Sequence, residues 1–266
     1  MRRRRPAPAS WRCLLGLLAF AAGGAGCAPD LDVGSDVLWS AGFETGTFDE
    51  WIRVPTRGAE AFPAPGDQIE VSNERAHDGS YAAKLTIDTS TAGEQQNTLV
   101  SRTGSLPIEA YYSAWYYLPR SENVGTYWVI FKFRLRTIAD DPSTSAEFYD
   151  LDLRDLPSGE MTMVLYDHRL AHEVPLGVPD PVVPVGIWFQ LEAFYRNTQD
   201  TTGHLTVWLD GRQIIDIADQ PMAPTPWIEW DVGNIGEDLT PSPAVLFIDD
   251  CAVSQTRVGP TGVLTR

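Results

Sequence analysis

The chain has 266 residues, 43% apolar and 21% charged, the balance of a folded globular protein. A formal net charge of −16 excludes a nucleic-acid binder, which needs a cationic surface to displace counterions. Three cysteines are too few for a disulfide scaffold or a four-cysteine zinc site.

Residues 1–12 (MRRRRPAPASWR) carry five arginines and no acid, and residues 13–26 (CLLGLLAFAAGGAG) are apolar and end in small residues. A basic start, a short apolar core and small residues before a cleavage point predict a signal peptide over 1–26. Its 14-residue apolar run is too short to span a bilayer comfortably. Gly24-Ala25-Gly26-Cys27 resembles the lipobox of bacterial lipoproteins, with Gly24 where that family usually has Leu. The resemblance implies lipidation of Cys27 and a bacterial cell-envelope protein touching the membrane only through that anchor. Cleavage by an ordinary signal peptidase would instead release a secreted protein. Without the leader the chain keeps 15 cations against 36 acids, a net of −21. Residues 27–36 read as a tether.

From residue 37 helical periodicity gives way to aromatic and β-branched runs divided by Gly, Pro, Asn and Asp. Strands are predicted over 37–43, 68–72, 81–88, 96–102, 108–118, 126–136, 146–154, 160–168, 187–197, 203–209, 212–217 and 243–255. Asp210-Gly211 between two such runs is a strong hairpin signal, because both turn residues need positive φ. With no internal repeat or linker, residues 37–258 form one domain, followed by a tail over 259–266. The expected fold is all-β: a jelly-roll β-sandwich of two antiparallel sheets.

Several segments carry a resemblance to the concanavalin A-like lectin/glucanase jelly rolls. They are Gly42-Phe43-Glu44-Thr45-Gly46, the run Ala76-His77-Asp78-Gly79-Ser80-Tyr81, the hairpin from Gly186-Ile187-Trp188 to Gly211, and Phe247-Ile248-Asp249-Asp250. Tyr111 to Pro119 (YYSAWYYLP), followed by Tyr127 to Arg134, is similar to the central strands of heparin-lyase-like polysaccharide lyases. The resemblance implies a polysaccharide partner bound on the concave sheet face.

It also implies a structural calcium between the first and last strands, held by Glu44 and Asp249. By the period of two, Asp249 shares a face with Val245, Phe247, Cys251 and Val253, where a bare carboxylate needs a partner. A hard cation would supply one, and so would backbone amides or an arginine. Asp250 falls on the other face and reads as solvated. Cys251 reads as a small buried hydrophobe.

The strand over 128–136 places Lys132, Arg134 and Arg136 on one face, with Phe131, Phe133 and Leu135 on the other. The next strand aligns Asp150, Asp152 and Arg154, and pairing would set Arg134 opposite Asp150 and Lys132 opposite Asp152. Lys132, Arg134, Arg136, Asp150 and Asp152, with Trp115 and Tyr117, are the candidate ligand-binding residues; Tyr112, Trp128 and Tyr149 are further candidate rings. Arginine forks bind carboxylates bidentately, which suits an acidic glycan. The same pattern also makes a stabilising cross-strand ladder that binds nothing, as in a structural envelope module.

Related lyases carry Trp-x-x-x-x-Gln-x-His where this chain has Trp128-Val-Ile-Phe-Lys132-Phe-Arg134. Lysine or arginine can still neutralise a uronate, but arginine stays protonated and makes a poor base. The remaining proton carriers are Tyr166 and His168, with Asp167 and Glu173 near them, and Glu192 on a later strand. Asp150-x-Asp152 is a short echo of the paired glutamates of glucanases, which leaves glycoside hydrolysis as a further reading. No serine-hydrolase elbow, phosphate loop or nucleotide fingerprint occurs, so no organic cofactor is expected. The expected protein is a monomer that binds polysaccharide without catalysis, or cleaves it as a lyase or hydrolase in the same groove.

Overall fold

Alternating apolar residues, with glycine where the chain must reverse, produce strands and sharp turns along the whole described chain. The computed structural model describes residues 36–51, 56–57, 66–90, 93–100, 106–137, 145–176, 179–222 and 227–260. The signal segment 1–26, Cys27, most of the tether and residues 261–266 lie outside them.

Fifteen strands form two antiparallel sheets, and no helix occurs among the described residues. The eight-stranded sheet contains β1 (Val37–Ala41), β3 (Gln68–Ser72), β4 (Ala82–Ile87), β6 (Glu109–Tyr117), β11 (Trp188–Arg196), β12 (His204–Leu209), β13 (Arg212–Ile217) and β15 (Ala244–Ser254). Its order is β13-β12-β11-β6-β15-β4-β3, with β1 paired to the C-terminal part of β15. The seven-stranded sheet contains β2 (Thr56–Arg57), β5 (Gln95–Val100), β7 (Asn123–Arg136), β8 (Ser145–Asp155), β9 (Met161–Asp167), β10 (His172–Val174) and β14 (Ile228–Thr240). Its order is β10-β9-β8-β7-β14-β5-β2. The all-β sandwich expected from the sequence is the fold. At the β12–β13 hairpin Asp210 and Gly211 take φ values of 47° and 78°, as a tight turn of this kind requires.

The core lies between the sheets. Tyr112 of β6 meets Phe133 of β7 edge-on at 5.1 Å and Trp230 of β14 at 5.4 Å. Tyr195 of β11 stacks on Phe133 at 4.4 Å. Such ring pairs contribute about 0.5–1.5 kcal/mol each beyond the area they bury. Cys251 is wholly buried in this core, as expected. A polar staple also crosses it. Asn234 of β14 accepts the indole N–H of Trp128 at 2.7 Å through Oδ1. Its Nδ2 donates to the carbonyls of Leu85 (3.0 Å) and Ala244 (3.1 Å) in the opposite sheet.

Strand β14 departs from the sequence expectation. Its Gly233, Asn234, Gly236 and Asp238 have the composition of a loop, yet it pairs with β7 along one edge and β5 along the other. Ile228, Trp230 and Val232 supply the alternating buried side chains that hold it there.

Two bulges set the register of β7 on β8. Val129 faces Asp152 while Phe131 faces Leu151, which leaves Ile130 as the extra residue. Phe133 faces Tyr149 while Arg134 faces Glu147, which leaves Phe148 as the extra residue on the partner strand. Lys132 therefore stands opposite Asp150, not Asp152, and Arg134 opposite Glu147, not Asp150. A third irregularity lies in β15 between Asp249 and Ala252, where Asp250 has a φ of 43°. It reverses the alternation. Ala244, Leu246 and Ile248 face the core before it, and Cys251 and Val253 after it, so Asp249 does not share the face of Cys251.

Candidate functional site

The outer face of the seven-stranded sheet collects the charged side chains. The pairings align one row across five strands: Asp231 of β14, Lys132 of β7, Asp150 of β8, Tyr166 of β9 and Glu173 of β10. Acid, base, acid, phenol and acid thus lie side by side. As expected, Phe131, Phe133 and Leu135 point into the core from β7 while the cations point out.

The cations are not an open ribbon, however. Arg136 is wholly buried, and its Nε donates to Glu229 Oε2 at 2.7 Å. Lys132 is only 3% exposed, between Asp150 and Asp231. Of the three, Arg134 alone keeps appreciable access, 4.0 Å from Asp231. Glu229 and Asp231 come from β14, the strand whose polar composition hides it in the sequence. Burial and the charge of Glu229 push Asp231 up to about 7, and Lys132 and Arg134 oppose that shift.

Beyond this buried belt the face opens into a cleft of about 410 Å³, lined by residues that include Tyr127, Asp150, Asp152, Arg154, Tyr166 and His168. Val129 and Ile235 add apolar surface. His168 follows β9, and its amide donates to the Phe148 carbonyl at 3.1 Å, so the bulge of β8 helps fix its place. Its Nε2 lies 2.8 Å from Asp150 Oδ2, and the Tyr166 ring meets the imidazole edge-on at 4.9 Å. Arg154 pairs with Glu173 at 2.7 Å and lies 3.8 Å from Asp152. Burial first, then the charge of Asp150, pushes Asp152 up to about 7, so part of its negative charge is absent at neutral pH.

Of the three sequence-predicted catalytic candidates, the structure brings His168 and Tyr166 together beside Asp150 and Asp152. It does not bring Glu192. That side chain projects from the outer face of the other sheet, where it accepts the amides of Val258 (2.6 Å) and Gly259 and the Nε of Arg257 (2.9 Å). It clamps the chain that follows β15. Trp115 and Tyr117 also project from that opposite face, because Ala114 and Tyr116, which alternate with them, fill the core. Tyr112, Trp128 and Tyr149 are core residues with no surface for a sugar.

Glu44 and Asp249 bound a second polar region. Glu44 accepts the amides of Ser80 at 2.9 Å and Tyr81 at 3.0 Å. Asp249 accepts the amide of His77 at 2.8 Å through one oxygen and that of Asp250 at 2.8 Å through the other. Asp250 is buried rather than solvated, with Oδ2 2.6 Å from His77 Nδ1. Burial and the neighbouring charge of Asp250 push Asp249 up to about 9, and Glu50 is raised by burial, with Glu44 and Asp250 contributing. The crowd of acids is short of positive charge, while both oxygens of Asp249 are taken up by backbone amides, the alternative partner to a cation. Among the described residues no three His, Cys, Asp or Glu are grouped to hold a metal, so such an ion would complete its shell with carbonyl oxygens and water.

No family model matches the sequence, and no curated relative does. Solved structures do resemble the fold. An endo-β-1,4-glucuronan lyase from the fungus Trichoderma reesei aligns over 85% of this chain and 99% of its own, with a TM-score of 0.62 and 12% identity. A carbohydrate esterase from the Shiga toxin-encoding bacteriophage phi24B aligns over 83% and 99%, with a TM-score of 0.53 and 11% identity. A cellulose-induced protein aligns over 83% and 98%, with a TM-score of 0.52 and 15% identity. At these identities the likeness establishes a shared β-sandwich fold.

Proposed function

We propose that the cleft is the active site of a polysaccharide lyase acting on uronate-containing chains. The observation that carries this reading is the His168–Asp150 hydrogen bond with Tyr166 against the same imidazole, inside an open cleft. The fold shared with a glucuronan lyase supports it as an analogy of scaffold.

The residues divide the work of β-elimination. Arg154 offers its guanidinium to the uronate carboxylate, which makes the C5 proton more acidic. His168, oriented by Asp150, takes that proton. The C5–H electron pair becomes the C4–C5 double bond as the C4–O bond breaks. Tyr166 delivers a proton to the departing glycosidic oxygen. Return of the proton from imidazolium to phenolate, directly or through water, resets the site. Protonation of Asp152 weakens its hold on Arg154 and lowers the negative charge facing an acidic substrate.

Incubation with polyglucuronate, alginate or polygalacturonate should generate an unsaturated product, read as rising ultraviolet absorbance. Absence of that signal with all three polymers overturns the lyase assignment. Retention on the polymers without turnover would support recognition alone.

In addition, we propose a structural calcium at Glu44 and Asp249, bracing the loop of residues 77–81. Export, with anchoring at Cys27, is supported by the basic and apolar order of residues 1–26.

A further inference from the structure

The outer face of the eight-stranded sheet carries a run of rings that the elimination does not use. His77 stacks on Trp115 with centroids 3.7 Å apart and planes within 16°. Trp188 meets His77 edge-on at 5.8 Å and borders Tyr117 at 5.6 Å. Arg75 closes the run, its guanidinium carbon 4.5 Å from the centre of the Tyr117 ring. Arg75 is exposed and has no carboxylate partner among the described residues, in a protein whose net charge is −16. A guanidinium held over a ring face can still offer N–H groups to an anion.

Beside Arg75 lies a cleft of about 240 Å³, bounded also by Lys84, Pro119, Arg120, Glu122 and Phe247. Glu122 forms a buried wall of it, with a side chain 2% exposed. One carboxylate oxygen accepts Arg120 Nε at 2.8 Å, and the other has no hydrogen-bond partner. A buried acceptor left without a donor is costly, and a ligand hydroxyl in the cleft is the kind of donor it lacks.

We infer that this cleft is a second glycan site, separate from the His168 cleft and specific for acidic polysaccharide. Arg75 takes a uronate carboxylate through its fork, and the unpartnered oxygen of Glu122 accepts a sugar hydroxyl. The site does not depend on the lyase assignment. A second attachment point on the opposite face raises the effective concentration of a long polymer at the first.

Native affinity electrophoresis in gels containing alginate, polygalacturonate or neutral dextran tests the inference. The acidic polymers should retard the wild-type chain and dextran should not. Arg75→Ala, at an exposed position, should weaken the apparent affinity about tenfold, the equivalent of one charge-assisted hydrogen bond. Glu122→Gln should weaken it in the same direction, with folding checked by thermal melting. His168→Ala, which removes the imidazole of the proposed lyase cleft, should leave the retardation dependent on Arg75. Retardation unchanged by Arg75→Ala, or none with either acidic polymer, overturns the second site. Because the readout is mobility and not unsaturated product, this failure is distinct from failure of the lyase reading.

Discussion

His168 reaches Asp150 through a 2.8 Å contact between Nε2 and Oδ2, although the strand register sets Tyr166, not His168, directly opposite Asp150. The carboxylate thus holds an imidazole that folds back from the turn, and the same imidazole meets the Tyr166 ring edge-on at 4.9 Å. In the proposed elimination this arrangement would put base and acid on the same side of the glycosidic bond.

Asp150→Asn tests the relationship. The amide keeps the shape but loses the charge that orients and stabilises the imidazolium. Turnover should fall by about 10²- to 10⁴-fold, the range of general acid–base catalysis, with a much smaller change in KM. Steady-state kinetics on a polyuronate read this, and unaltered kcat would remove Asp150 from the mechanism.

The raised Asp152 makes stability depend on pH. Its carboxyl shifts from 3.8 to about 7, so the folded state holds this proton more tightly than the unfolded chain. The contribution is fully present below 3.8 and is lost as pH rises through about 7. The limiting slope is about 1.4 kcal/mol per pH unit inside that window, shared with other groups such as Asp231. Asp152→Asn should flatten the profile and melt above wild type at pH values beyond about 7. Parallel melting curves for the two proteins across the window would refute the assignment.

Calcium should raise the melting temperature of the full chain if Glu44 and Asp249 hold a cation. Binding to the folded state alone stabilises by mass action, and neutralising the acids removes part of their mutual repulsion. Glu44→Gln should abolish the calcium-dependent increment. A wild-type melt that is the same after exhaustive chelation and after calcium addition counts against the site.

Asn234→Ala should be among the most damaging single changes away from the cleft. It leaves the Trp128 indole N–H and the Leu85 and Ala244 carbonyls without their Asn234 partner in a buried setting. The stranded indole N–H alone should cost roughly 1–3 kcal/mol, and the two lost carbonyl bonds add to that. Urea unfolding measures it, and a midpoint within error of wild type would show that the staple is dispensable.

Alternation in the sequence suffices to separate Phe131, Phe133 and Leu135 from Lys132, Arg134 and Arg136, because a period of two assigns opposite faces whatever the partner strand. It does not say which face is covered, and so Lys132 and Arg136 read as accessible although they are buried. The register of β7 on β8 was not legible either, since each strand carries a bulge that only pairing reveals. Nor does period alone tell which set of aromatic residues is inside. Tyr112 and Tyr116 fill the core while Trp115 and Tyr117 face out, and both sets are rings. Strand β14 was hidden by its glycines and acids, although Ile228, Trp230 and Val232 carry the alternating signal that marks it. His168 and Tyr166 were identifiable as proton carriers, but their meeting with Asp150 depends on a turn whose path the sequence leaves open.

The strand that ends the seven-stranded sheet, β10, is only three residues long, and its His172 and Glu173 are exposed. So brief and polar a border offers another protein's strand little backbone to zip onto. Pairing with a further strand is disfavoured at this margin of the sheet.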